Sequence, residues 1–168
     1  MKIYLLGYMG SGKSTVGKKL ARALNLDFID LDEQIEMLSG QSVDTIFEQQ
    51  GEEAFRMIEN LALDQSYSMQ NVVVALGGGT PCFSNNLKFI KENGFSVYLK
   101  LSATSLAKRL QEAKKTRPLI KGLSDGELFE FVQQQLGERE KYYNEAHIIV
   151  KGENLNIKEL VNLIENNA

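Results

Sequence analysis

Residue types that carry much familiar chemistry are nearly missing from this 168-residue chain: it has one cysteine, one histidine, two prolines and no tryptophan. The lone Cys82 has no partner for an internal disulfide, which favours a reducing compartment, and it lacks the His and Asp company of a nucleophile. One Cys and one His147 are too few for a structural zinc site. No apolar run approaches the roughly 18 residues of a membrane span. The first apolar stretch stops at Gly7 and is followed by Lys13, Lys18 and Lys19, which is not the layout of a secretory leader. An excess of positive charge is also missing, with 19 Lys+Arg against 22 Asp+Glu and a net charge of −3. That argues against nucleic acid or an anionic membrane as partner. The expectation is a cytoplasmic, monomeric protein. Its 43% hydrophobic and 24% charged residues suit one globular domain, 1–168, with a real core.

What is present is an alternation of short apolar runs and helical patterns. Residues 3–6, 27–30, 72–76, 95–101 and 147–150 read as strands, and the run at 72–76 as one buried on both faces. Helical periodicity covers 14–24, 33–38, 42–50, 52–67, 85–93 and 103–113. It resumes from Asp125, as the cap, to about 142, and again through Ile157, Leu160, Val161 and Ile164. This predicts an α/β fold: a three-layer αβα sandwich around a five-stranded parallel sheet. Residues 114–125, rich in Lys with Arg117-Pro118, read as a loop; about 112–125 is expected to form a mobile lid.

The segment Gly7-Tyr8-Met9-Gly10-Ser11-Gly12-Lys13-Ser14 fits the phosphate-loop pattern G-x-x-x-x-G-K-[ST], between a strand and a helix as that pattern requires. Its backbone N–H groups and helix N-terminus suit a nucleoside triphosphate, Lys13 can reach the outer phosphates, and Ser14 can ligate Mg²⁺. Gly10, Ser11, Gly12 and Thr15 complete the nucleotide contact. Asp30 and Asp32 stand two apart at a strand end. One can hold Mg²⁺ and the other a substrate hydroxyl; the plainer reading makes Asp32 the cap of the helix at Glu33. Gly77-Gly78-Gly79 after a buried strand permits close approach of backbone to a ligand. Arg56, between Glu52 and Glu59, reads on spacing alone as part of a surface ion-pair ladder, and Phe47 and Phe55 as core. Loop, aspartates and glycine triplet all fall at strand carboxyl ends, where ligands of parallel sheets bind.

Together these segments, with Phe28-Ile29-Asp30-Leu31-Asp32, residues 47–59, Arg117-Pro118-Leu119 and Arg139 with Tyr143, resemble shikimate kinase over residues 3 to about 150. The resemblance implies a nucleoside-monophosphate-kinase-like P-loop fold and transfer of the ATP γ-phosphate to the 3-hydroxyl of shikimate, on the route to chorismate and the aromatic amino acids. It implies Asp32 as base, Asp30 and Ser14 as the Mg²⁺ residues, and Lys13 and Arg117 as charge stabilisers. Arg56 and Arg139 would clamp the shikimate carboxylate, Gly78 would donate its N–H, and Gly77, Gly79, Phe47 and Phe55 would line the pocket. The helical segment of about 32–62 would bind shikimate, and Arg109 would lie against adenine. Competing readings are a gluconate- or nucleotide-kinase-like enzyme, and a nucleotide switch, whose N-K-x-D guanine motif this chain lacks.

Overall fold

The computed structural model describes residues 1–113 and 120–168, so Arg117 and the middle of the expected lid lie outside the described residues. In chain order the elements are β1 (Lys2–Leu6), α1 (Lys13–Leu24), β2 (Asp27–Asp30), α2 (Leu31–Ser39), α3 (Val43–Gln65), β3 (Val72–Ala75) and α4 (Asn86–Asn93). They continue with β4 (Phe95–Lys100), α5 (Ala103–Glu112), α6 (Asp125–Tyr143), β5 (Ile148–Lys151) and α7 (Ile157–Asn167). The five strands form one sheet, in the order β2-β3-β1-β4-β5, with every neighbouring pair parallel.

The two-residue period of the strands divides the core. In β1, Ile3 and Leu5 join Val73, Val97 and Leu99 on one face, where Leu20 and Ala21 of α1 and Leu160 and Ile164 of α7 cover them. Tyr4 and Leu6 join Val72, Val74 and Tyr98 on the other face, under residues of α2, α3, α4, α5 and α6. The sheet is therefore buried on both sides, as parallel sheets require. Because β1 is flanked by β3 on one side and β4 on the other, a crevice opens beyond its carboxyl end.

The helix boundaries differ in detail from the sequence reading. Ser124, not Asp125, caps α6: its side chain accepts from the Glu127 N–H, leaving Asp125 in the acidic first turn. Asp30, not Asp32, caps α2, accepting from the Asp32 N–H at 3.1 Å. β5 begins at Ile148 rather than at His147, whose N–H donates to Ser96 Oγ at 3.0 Å. The expected break between the helices at 42–50 and 52–67 is real: Gly51 has φ 84° and ψ 175° inside α3. The helix kinks there, and beyond the kink Phe55 packs into the core.

Candidate active site

Two adjoining cavities lie at the carboxyl ends of β1, β2 and β3. The first, about 240 Å³, is lined by Gly10, Gly12, Lys13, Ser14, Thr15, Asp30 and neighbours. The second, about 160 Å³, is lined by Phe47, Phe55, Arg56, Glu59, Gly79, Arg139 and neighbours. Met9, Asp32, Gly77 and Gly78 line both. A roomier hollow of about 600 Å³ against Leu38, Ile58 and Leu61 has one acidic group, Asp64, and no basic one.

The first cavity is a backbone cradle. Gly10 and Gly12 have φ of 80° and 90°, a region that a side chain would strain. Lys13 is held over the loop by donating to Gly7 O at 2.8 Å and Tyr8 O at 2.9 Å. Ser14 Oγ donates to Asp30 Oδ2, while Asp30 Oδ1 caps α2. Two hard oxygen ligands thus sit side by side at the foot of the cradle. This suits Mg²⁺, which takes one or two protein oxygens and fills its other positions with phosphate and water. Among the described residues no group of three or more His, Cys, Asp or Glu forms an all-protein metal cage. Arg109 Nη1 lies 3.5 Å from Ser11 O, so the structure sets it against the phosphate loop.

The second cavity gathers side chains from four elements. Asp32 comes from the first turn of α2, and Phe47, Phe55, Arg56 and Glu59 come from α3. The glycine triplet follows β3, and Arg139 is on α6. The rings of Phe47 and Phe55 meet at 4.4 Å and form an apolar wall. Arg56 is anchored rather than loose. It donates to Glu59 Oε1 at 2.8 Å, its guanidinium lies 3.8 Å from the Phe83 ring centroid, and its buried Nε has no hydrogen-bond partner. A guanidinium with a spare buried donor is suited to a planar carboxylate. Gly79 makes room for it, since a Cβ there would stand 2.6 Å from Arg56 Nη2. Arg139 reaches the same region from the other side, 3.3 Å from the position of a Cβ on Gly78.

Glu59 corrects the sequence reading of an exposed ladder. It is 1% exposed and accepts from Thr80 Oγ1 at 2.8 Å as well as from Arg56. Its spacing from Arg56 is that of any surface pair, so only burial distinguishes it. Met9, Val43 and Asp44 also line the second cavity and were missed, since none has a chemistry that its local sequence would flag. Of the other predicted residues in the described chain, all but Ser11 and Arg109 line one of the two cavities; Ser11 is buried within the loop, and Arg109 contacts it.

A family model described as shikimate kinase matches residues 9–167. The shikimate kinase of Parabacteroides distasonis is 45% identical over 154 residues, covering 92% of this chain and 89% of that protein. That of Flavobacterium johnsoniae is 43% identical, covering 95% and 94%. The crystal structure of the Bacteroides thetaiotaomicron shikimate kinase superposes with a TM-score of 0.94 at 38% identity, covering 98% of each chain. A shikimate kinase from Acinetobacter baumannii in complex with shikimate gives a TM-score of 0.85 at 33% identity, covering 98% of this chain and 90% of that one. A deoxyadenosine kinase from M. mycoides with bound dATP, at 17% identity and a TM-score of 0.61, shares the fold alone. With the model match spanning nearly all of the chain and curated relatives above 40% identity over nine-tenths of it, this chain belongs to the shikimate kinase family.

Proposed function

We propose that this chain phosphorylates the 3-hydroxyl of shikimate from ATP·Mg²⁺, giving shikimate 3-phosphate and ADP, with the phosphate loop as donor site and the pocket beside it as acceptor site. The observation that carries this reading is the shared wall. Asp32, Gly77 and Gly78 line both cavities, so a hydroxyl beside Asp32 faces the mouth of the phosphate cradle.

Phosphoryl transfer asks mainly for positioning and charge stabilisation. Residues Gly10 to Thr15 hold the triphosphate through their backbone, and Lys13 places its charge on the outer phosphates. Ser14 and Asp30 hold Mg²⁺, which when bound neutralises phosphate charge. Arg56 and Arg139 bind the carboxylate from two sides and fix the ring against Phe47 and Phe55. Gly78 donates its N–H, with Gly77 and Gly79 giving the close approach. Asp32 orients the 3-hydroxyl and accepts its proton as the P–O bond forms. Arg109 packs beside the loop on the nucleotide side. Arg117, on the family resemblance, belongs to a lid over the phosphates at about 112–125 that excludes water.

The proposal includes a monomeric enzyme of a single domain, with about 32–62 as its acceptor-binding segment. The cytoplasm is the proposed location; no helix among the described residues is long and apolar enough to cross a membrane. The test is ADP release from ATP·Mg²⁺ with and without shikimate, beside gluconate and nucleoside monophosphates. Shikimate alone is expected to stimulate release. Equal rates with and without it would overturn the reading.

A further inference from the structure

The glycine triplet works as a donor only if its carbonyls are turned away, and each has its own partner. Gly77 O accepts from the Thr80 N–H at 3.1 Å and Gly79 O from the Cys82 N–H at 2.9 Å, both within the same turn. Gly78 O accepts instead from the Tyr143 hydroxyl, 65 residues away at the end of α6. Tyr143 is 0% exposed, with its ring 5.1 Å from the Tyr98 ring. It follows Arg139 by four residues, which puts the two side chains on one face of the helix. Burial raises its phenol well above the usual range, against the opposing charge and side-chain hydrogen bond of Arg139, so the hydroxyl stays protonated and remains a donor. The Arg139 guanidinium in turn lies 5.7 Å from the Tyr8 ring of the phosphate loop.

We infer that Tyr143 is a positioning residue for the acceptor site: its hydroxyl ties the Gly78–Gly79 peptide to the face of α6 that also carries Arg139, holding the glycine turn and that arginine in one register. This rests on the proposed roles of Gly78 and Arg139. The Gly77–Gly78 peptide is already held through Gly77 O by the Thr80 N–H, but the Gly78–Gly79 peptide has little conformational preference of its own and without this tie can rotate. Among the described residues, no backbone hydrogen bond joins α6 to the triplet.

The test is Tyr143→Phe, which deletes one oxygen from a fully buried ring. The Michaelis constants for shikimate and for ATP, kcat and the melting temperature are measured together. The shikimate KM is expected to rise roughly tenfold, with the ATP KM within about twofold. In an Arg139→Ala background the same change should have much less effect, because the tie then holds nothing for the carboxylate. Tyr98→Phe serves as the control: its hydroxyl lies 3.5 Å from Glu140 Oε1, and its loss should leave the shikimate KM unchanged. If Tyr143→Phe does not fold, 4-aminophenylalanine at 143 keeps a donor at the same point. Its shikimate KM should stay within about threefold of the parent value. A lowered melting temperature with both KM values unchanged, or equal rises for the two substrates, would overturn the inference. Failure of shikimate to stimulate the parent enzyme would strike the functional reading first and is seen before any variant is made.

Discussion

The donor and acceptor halves of the site lie side by side yet are built in opposite ways. The proposed donor half is built chiefly on one stretch, Met9 to Thr15, shaped by Gly10 and Gly12, with Asp30 beside it. The proposed acceptor half takes side chains from α2, α3 and α6 and backbone from the turn after β3, and no two of these segments adjoin in sequence except α2 and α3. A backbone cradle tolerates any residue that keeps its dihedral angles. A pocket of convergent side chains depends on how each is anchored, here through Glu59, Thr80, Phe83 and Tyr143.

Asp32, on the wall between the halves, should give the largest effect. Asp32→Asn is expected to lower kcat by about 10²- to 10⁴-fold while ATP binding stays within about threefold, read by steady-state kinetics and nucleotide titration. A kcat within about threefold of the parent would remove its role as base. Arg56→Ala should sharpen the contrast, raising the shikimate KM about 100-fold with the ATP KM nearly unchanged. Equal losses for the two substrates would break the division into halves.

Glu59→Gln tests the anchoring. It weakens the hold on Arg56 at the cavity wall, so the shikimate KM should rise roughly tenfold and stability should fall by about 1–3 kcal/mol in urea unfolding. A change in stability alone would make Glu59 a core residue only. Gly79→Ala should be milder. The added Cβ would stand 2.6 Å from Arg56 Nη2 and displace that anchored guanidinium while leaving the rest of the core in place, so a several-fold rise in shikimate KM with little change in melting temperature is expected.

Cys82 should show the smallest effect. Burial raises its thiol from 9.0 to about 11, with the Arg139 and Arg56 charges opposing. In the folded chain it therefore stays protonated where the unfolded chain has lost the proton. Its contribution to stability is full below about pH 9 and is lost as pH rises towards about 11. Alkylation of the native protein at pH 8 should be slower than that of the unfolded chain, and Cys82→Ala should leave both KM values unchanged. Fast native labelling would contradict the buried setting.

How much of this was readable before the fold followed the same division. The loop carries its chemistry in adjacent residues, so its pattern and the flanking strand and helix could be read directly. The parallel sheet was readable too, because short apolar runs between helical periods have few other arrangements. Arg56 and Glu59 were not, since their i, i+3 spacing is the same in a surface ladder and in a buried anchor. Arg139 and Tyr143 stood out only by resemblance to a known family; nothing local says that α6 returns to the glycine triplet. The helix caps were displaced by one or two residues because Ser124 and Asp30 compete with equally good neighbours.

By itself, then, the sequence determined the phosphate cradle, the alternation of strands and helices and the strand ends on which a site must lie. These follow from backbone dihedral preference and hydrophobic period, which act over a few residues. Only the tertiary structure decided that Glu59 is buried beneath Arg56, that Asp30 rather than Asp32 caps α2, and that Tyr143 reaches Gly78 from 65 residues away. Those depend on which helix faces cover which side of the sheet, and that is settled when the whole core packs.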